Sequence, residues 1–171
     1  MNCNKANVLI IILYERQTHK MNELDRLESI DPKTVPKVPF QNEFKNARIE
    51  EIYDGDTVKI IVLFGDVPVR FSLRILGIDT PEIKQGEGRL PEERQAAIKV
   101  RDYMRSLFPK NIAKICIRDW DKYGGRVLGD LYLQSGESVS DILIHGGWAR
   151  PYQGEKKKEW TFDDLTKKPF V

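Results

Sequence analysis

The sequence predicts an α+β fold, a five-stranded β-barrel accompanied by about three helices. Two observations lead to this prediction. Five short segments rich in β-branched and aromatic residues are separated by turn signals. One helical pattern lies between the third and the fourth of these segments, and a second follows the fifth. Short strands and helices in that order are typical of a small closed barrel.

The first three strands are predicted from turns and alternation. Residues 47–53 and 57–64 form a hairpin around Asp54-Gly55, because both segments favour strands and Asp-Gly favours a tight turn. After a second turn, the strand that begins at Val67 alternates apolar and polar residues. This alternation predicts that Arg74 points away from the core that its apolar neighbours fill.

The remaining elements follow from helical periodicity and helix-breaking residues. Pro91 suits the first turn of a helix, the glutamates after it favour the helix dipole, and Pro109 ends the pattern. The other expected elements are strands over 113–118 and 126–134, a helix over 138–145 that ends at Gly146-Gly147, and a last short helix near Trp160-Thr161-Phe162. The complete order is compatible with a barrel of the oligonucleotide-binding type.

Composition excludes some classes of site and leaves the partner open. The chain is 40% hydrophobic and 32% charged, as is usual for a soluble globular protein, and its net charge of +2 permits a polyanionic partner without requiring one. Cys3 and Cys116 have neither a disulfide framework nor a zinc-ligand spacing, and Cys116 is expected to be buried. His19 and His145 are isolated, which disfavours nucleases with a histidine base or a zinc centre.

The N-terminal region is predicted to lie outside the domain. Residues 1–43 read as an arm or linker, and the domain is expected over 44–171. The apolar run over 8–14 is too short to span a bilayer, which needs about 20 residues, and a charged stretch follows it without a small-residue cleavage site. Export and the true start, Met1 or Met21, therefore stay open, with an intracellular location slightly favoured.

Three acidic residues are expected to meet in one site. Asp56 follows the hairpin turn, and Asp79 and Glu82 flank the turn stiffened by Pro81. Two carboxylates about 4 Å apart repel by roughly 4 kcal/mol at an effective dielectric near 20, so such a group favours a cation. Oxygen ligands alone point to calcium or magnesium. An EF-hand is excluded because Val58 stands where an oxygen ligand is required.

A purely structural metal site would not explain two arginines of the sequence. Arg74 and Arg126 carry permanently charged planar forks that suit phosphate oxygens. With a metal ion and one uncommitted carboxylate, they would supply what phosphodiester hydrolysis needs, namely charge neutralisation and a group that orients or deprotonates water. Glu82 is the candidate for the group that orients or deprotonates the water. A simple hairpin turn is the competing interpretation of Asp54-Gly55-Asp56, in which Asp54 supports the turn.

Three motifs, in this order, resemble the staphylococcal nuclease (thermonuclease) family. The motifs are Asp54-Gly55-Asp56-Thr57, Arg74 followed by Asp79-Thr80-Pro81-Glu82, and Asp121-Lys122-Tyr123-Gly124-Gly125-Arg126, and the resemblance covers residues 47–152. It implies a barrel of the oligonucleotide-binding type and calcium-dependent endonuclease action on DNA and RNA, preferably single-stranded or frayed. The implied cut is at the 5′-oxygen side and leaves 3′-phosphates.

The resemblance also implies a role for individual residues. Asp56 and Asp79 would bind one calcium ion with the main-chain carbonyl of Thr80, magnesium being the less favoured ion. Glu82 would serve the attacking water, and Arg74 and Arg126 would hold the phosphate. Lys122 and Tyr123 would lie beside the nucleotide, and Tyr152 would stack on a base. No stable protein partner is implied, and a monomer without a membrane span is expected.

Departures from the family pattern leave alternatives open. Gly124 and Gly125 both separate the tyrosine from Arg126 where one glycine is usual, so the reach of Arg126 is uncertain, and Trp120 has no assigned role. A non-catalytic nucleic-acid-binding module on the same barrel is the main alternative to an enzyme. A calcium-binding protein without nucleic-acid chemistry is a third, but it leaves the arginines unexplained. The run Lys156-Lys157-Lys158 is expected to be a solvated face.

Overall fold

The structure, a computed structural model, describes residues 22–35, 37–38, 40–84, 86, 89–122 and 125–170. These residues fall into two compact units, one over 22–35 and one that begins at Lys37. The first unit contains helix α1 (Glu23–Glu28) and a 3-10 turn (Pro32–Thr34). Asn22 caps α1 by accepting a hydrogen bond from the Asp25 amide. The expected linker thus contains a helix, while Cys3, His19 and both candidate start methionines lie outside the described residues.

The second unit contains a closed five-stranded barrel, as predicted. Its strands are joined in the order β1-β2-β3-β6-β5, and β5 pairs with β1 to close it. Every pairing is antiparallel except that of β3 with β6. The strands of the chain are β1 (Phe44–Ile52), β2 (Thr57–Phe64), β3 (Val67–Ile75), β4 (Ile78–Asp79), β5 (Ile112–Trp120), β6 (Val127–Tyr132) and β7 (Arg150–Pro151).

A two-stranded sheet outside the barrel was not predicted. The short strands β4 and β7 pair antiparallel, with Ile78 opposite Pro151 and Asp79 opposite Arg150. Two residues on each side are too few to leave a pattern of alternation in the sequence. This pairing holds the segment that follows β3 next to the segment around Arg150 and Pro151. It therefore decides which side chains reach Asp79.

The helices of the second unit cover one part of the barrel. Helix α2 (Pro91–Leu107) buries Ala96, Val100 and Met104, which belong to the same apolar core as the strands. Helices α3 (Val139–His145) and α4 (Phe162–Leu165) follow, with Ser138 and Thr161 as their N-caps. The described residues therefore hold four α-helices where about three were expected, and α1 is the additional one. In these ranges, no helix has the length and apolar character needed to cross a membrane.

Candidate active site

The turn between β1 and β2 carries the first acidic group and lies against two other parts of the fold. A Cβ atom on Gly55 would lie 2.6 Å from a Val100 methyl group and 2.7 Å from both Thr80 Cγ2 and Thr80 Oγ1. A side chain at this position would force one of these buried groups to move. Glycine thus allows the turn to approach both helix α2 and the Asp79–Glu82 segment.

Asp56 and Arg74 form a nearly buried ion pair. Strand pairing sets Arg74 opposite Thr57, so its guanidinium reaches the adjacent carboxylate. Arg74 Nη1 donates to Asp56 Oδ1 at 3.0 Å, and Thr57 Oγ1 donates to the same oxygen at 2.9 Å. Burial raises the pKa of Asp56 above its ordinary value, although the charge of Arg74 opposes that rise.

The second oxygen of Asp56 is less well satisfied. Arg74 Nη2 lies 2.8 Å from Asp56 Oδ2, yet within the described residues this buried oxygen has no partner with hydrogen-bond geometry. A cation can approach an oxygen closely without an N–H group aligned for a hydrogen bond. Asp56 Oδ2 therefore has a charged neighbour and still lacks a hydrogen-bond donor.

Asp79 is paired with an arginine that the sequence did not single out. The β4–β7 pairing sets Arg150 opposite Asp79, and Arg150 Nη2 donates to Asp79 Oδ2 at 2.9 Å. The same guanidinium donates to the carbonyls of Lys158 and Glu159 and lies 3.8 Å above the Trp160 ring. Arg150 is thus held on several sides and keeps a permanent charge beside a buried carboxylate.

Lys157 joins the other two carboxylates of the site. Its Nζ lies 2.7 Å from Asp79 Oδ1 and 2.8 Å from Glu82 Oε1. Burial lowers the pKa of Lys157, but the hydrogen bonds to Asp79 and Glu82 outweigh that effect, so the pKa lies above its ordinary value. The prediction of a solvated lysine run is wrong for this residue, and the prediction that Glu82 is uncommitted is wrong for its Oε1 atom.

Asp54 adds a fourth acid to the cluster. Its Oδ1 accepts a hydrogen bond from the Asp56 amide at 3.2 Å, which is the turn-supporting contact expected for it. The side chain is buried, and burial, followed by the negative charge of Asp56, raises its pKa to about 7. Asp54 therefore holds its proton more tightly than an exposed aspartate does.

The residues expected to hold nucleotide differ in their surroundings. Arg126 donates from Nε and Nη2 to Asp121 Oδ2 at 2.9 and 2.5 Å, and it directly precedes Val127, which is paired with Leu73 of β3. The fork of Arg126 is therefore engaged with its own loop. Lys122 is exposed, whereas Tyr123 and Gly124 lie outside the described residues.

The aromatic residues Tyr152 and Trp120 both have local contacts. Tyr152 is half-buried and donates its hydroxyl to the Glu155 carbonyl at 2.9 Å. Trp120 donates from Nε1 to the Lys37 carbonyl at 3.1 Å and meets the Phe71 ring edge-on. These contacts give Trp120 a packing role, while stacking of Tyr152 on a base stays a prediction.

A cavity of about 460 Å³ adjoins the carboxylate cluster. Glu93 of α2 lies on its wall, almost fully buried, and accepts hydrogen bonds from the Glu82 amide at 3.2 Å and from Arg89 Nη1 at 2.7 Å. The remaining lining includes Asp79, Lys157 and Trp160. The cavity gives a solvent path to Asp79 and Glu82 between α2 and the segment that carries Lys157.

Calcium remains compatible with the donor set, although the described residues contain no group of three or more acidic, histidine or cysteine side chains arranged to hold a metal. Asp56 and Asp79 are oxygen donors, and Asp56 Oδ2 is buried without a hydrogen-bond donor. Both oxygens of Asp79 are already paired with cations. A hard divalent ion thus suits the chemistry of these residues but would have to replace one of those cations.

Comparison with known proteins identifies similarity over the part of the chain that carries most of these groups. Residues 72–168 match the family model described as "Staphylococcal nuclease homologue". Two curated proteins, from Escherichia coli and from Escherichia coli O157:H7, are both named "Uncharacterized endonuclease" and are each 29% identical to this chain over 108 residues. The aligned region covers 63% of this chain and 61% of each relative, so the chain matches less than two thirds of the relatives' length.

Proposed function

The chain belongs to the family of staphylococcal nuclease homologues, and from that premise we propose that it is a calcium-dependent endonuclease that hydrolyses phosphodiester bonds. The observation that carries the proposal is that Lys157 joins Asp79 and Glu82 at the wall of an open cavity. The charges of Lys157 and Glu82 also act on Asp56, which pairs with Arg74. A purely structural acid cluster has no need of a solvent path or of an arginine fork. Phosphodiester cleavage needs both.

Each group has a proposed task in the reaction. Water attacks phosphorus, and Glu82 accepts or directs the proton of that water. The bond from phosphorus to the 5′ oxygen breaks, and that oxygen leaves as an alcohol with a proton from solvent. The Arg74 guanidinium stabilises the charge that develops on the phosphate oxygens, because its five N–H donors exceed what one carboxylate can accept. Arg126 joins it if its fork turns from Asp121 to substrate. The pair with Asp56 holds the Arg74 fork in place before substrate arrives, whereas the pair with Asp121 holds the Arg126 fork until it turns to substrate.

Calcium is the cofactor that we propose for this site. Asp56, Asp79 and the Thr80 carbonyl would hold it, as the family resemblance implies, and the unsatisfied Asp56 Oδ2 supports this assignment. When bound, the ion supplies positive charge that polarises the phosphate and lowers the pKa of nearby water. Magnesium is the less favoured ion because the family resemblance implies calcium, although a sparse, partly hydrated set of protein ligands suits either ion.

The substrate class and the position of the cut come from the family resemblance. We propose DNA and RNA that are single-stranded or frayed, cut at the 5′-oxygen side to leave 3′-phosphates. Lys122 and Tyr123 would lie beside the nucleotide, and Tyr152 would stack on a base without selecting its sequence. We further propose that the protein acts as a monomer and that the nuclease domain occupies residues 44–171, after an N-terminal arm.

Digestion of single-stranded DNA and RNA with calcium, with magnesium and with a chelator tests the proposal. Arg74→Ala and Glu82→Gln should each lower turnover at least about 10²-fold, the scale for one preorganised transition-state contact. Arg70→Ala is the matched control, because Arg70 lies on the same strand, is largely exposed and pairs only with Glu50 among the described contacts. Activity that persists under chelation contradicts the calcium assignment, and normal turnover of Glu82→Gln contradicts its role with water.

The alternative is a non-catalytic nucleic-acid-binding module on the same barrel. It would bind single strands without cleaving them under any metal. The retention of Asp56, Arg74, Asp79, Glu82 and Arg126 together favours the enzyme, since a binding surface has no use for buried acids that repel phosphate.

End-group analysis of any products separates a nuclease that leaves 3′-phosphates from one that leaves 5′-phosphates.

A further inference from the structure

We propose that Lys157 is a displaceable counter-ion of the Asp79–Glu82 pair, which a divalent cation must remove before it binds. The lysine would then set how tightly the protein binds its metal. The inference rests on the calcium site assigned under the proposed function, but it concerns a residue to which the three motifs of the resemblance give no role. It starts from one contact pair, Nζ to Asp79 Oδ1 at 2.7 Å and to Glu82 Oε1 at 2.8 Å.

Of the two cations on Asp79, Lys157 is the one that can leave. Arg150 donates to two backbone carbonyls and lies over the Trp160 ring in addition to its bond with Asp79. The described contacts of the Lys157 ammonium are instead the two carboxylates themselves. Lys157 also lies on the segment between β7 and α4, which has neither helix nor strand. A flexible four-carbon stem on an irregular segment can move aside without breaking other structure.

The ammonium and a divalent ion compete for one oxygen. Ligand oxygens lie about 2.3–2.6 Å from a bound calcium ion. With Nζ already at 2.7 Å from Asp79 Oδ1, two cations would share that oxygen at close range and repel each other strongly. Asp56 Oδ2, by contrast, is buried and has no hydrogen-bond donor. An entering ion therefore finds Asp79 Oδ1 held by Lys157, and finds Asp56 Oδ2 without a hydrogen-bond donor, although Arg74 Nη2 lies 2.8 Å from it.

A site in which Lys157 permanently takes the place of the metal ion is less favourable than one in which the ion displaces Lys157. It would leave Asp56 Oδ2 buried and without a donor in the working protein, which costs free energy. It would also leave Arg74, Arg150 and Lys157 as the described cations beside the carboxylates of Asp56, Asp79 and Glu82. An ion that displaces Lys157 supplies one more positive charge to this cluster.

Calorimetric titration of the full chain with calcium chloride, without nucleic acid, tests the proposal. Lys157→Met keeps the length of the stem and removes the charge, and we expect it to bind calcium at least about tenfold more tightly than the unaltered chain, which corresponds to about 1.4 kcal/mol. Lys157→Arg keeps a cation and should stay within about threefold of the unaltered chain. Lys156→Met, at the exposed neighbouring position, is the matched control and should also stay within that range.

The outcomes separate the two proposals. Equal or weaker calcium binding by Lys157→Met overturns the inference, as does tightening of the same size in Lys157→Arg or Lys156→Met, or no calcium binding by any of these proteins. Circular dichroism and urea unfolding establish that each variant is folded, and Lys157→Gln repeats the test if the Met variant is not. Cleavage assays are run separately. Tighter calcium binding without cleavage would support the role of Lys157 while contradicting the nuclease.

Discussion

Replacement of Arg150 tests whether the unpredicted β4–β7 sheet holds the site together. Arg150→Met removes the charge and the hydrogen bonds while it keeps most of the side-chain volume. The variant loses the donor to Asp79 Oδ2 at 2.9 Å, the donors to the carbonyls of Lys158 and Glu159, and the contact with the Trp160 ring at 3.8 Å. Asp79 keeps only Lys157 as a described cationic partner.

The expected loss of stability follows from these contacts. A hydrogen bond to a charged group contributes about 1.5–3 kcal/mol, and loss of one partner of a fully buried pair costs about 3–5 kcal/mol. Lys157 still neutralises Asp79, and the Arg150 side chain is 29% exposed. The cost should therefore lie below the upper end of the range for a fully buried pair. We expect Arg150→Met to lower the free energy of unfolding by about 2–4 kcal/mol, and the midpoint of thermal unfolding by about 6–12 °C.

Urea unfolding followed by tryptophan fluorescence and by far-ultraviolet circular dichroism measures this loss, with a chelator present so that no metal contributes. Arg150→Lys should fall between the two proteins, because it keeps the charge and loses the planar fork. Arg70→Met is the control, since the Arg70 side chain is 67% exposed and its pair with Glu50 should contribute less than about 1 kcal/mol. A loss for Arg150→Met no larger than that of the control refutes the reasoning.

Two further predictions concern the β1–β2 turn. Gly55→Ala should lower the free energy of unfolding by about 1–3 kcal/mol, because the new methyl group would press on Val100 and Thr80, and an undiminished urea midpoint would contradict this. The pKa of Asp54, raised from 3.8 to about 7 by burial and by the charge of Asp56, means that the folded state holds a proton that the unfolded state releases near pH 4, so this residue should lower stability as pH rises from about 4 to 7. Asp54→Asn should therefore gain stability relative to the unaltered chain between pH 4 and pH 8, and unfolding curves that differ by the same amount at both pH values would contradict this.

Much of the barrel could be predicted because its strands leave periodic patterns. One face of β2 and of β3 is buried, and buried positions favour apolar residues. This produces the alternation from Val67 to Ile75 and the β-branched run of β2. The bounds of β1, predicted over 47–53 and observed as Phe44–Ile52, differ at the edges, where propensity is weakest. Helix α1 was missed because it buries no residue and so shows no apolar stripe.

The acidic residues of the site could also be identified from the sequence, since Asp56, Asp79 and Glu82 stand at turns where carboxylates have no packing role. The cations that pair with Asp79 and Glu82 could not be identified in this way. Arg150 reaches Asp79 only through a pairing of two residues on each strand, and Lys157 returns from a segment that reads as a charged, solvated run.

The sequence by itself thus determined the barrel, the long helix and the acids, because each depends on local pattern or on a residue's chemistry. Tertiary structure decided which cations neutralise Asp79 and Glu82, since that depends on long-range contacts between chain segments more than seventy positions apart. Electrostatic pairing depends on distance in space and leaves no periodic signal in the order of residues. For this reason the counter-ions of Asp79, unlike Asp79 itself, became evident only in the folded chain.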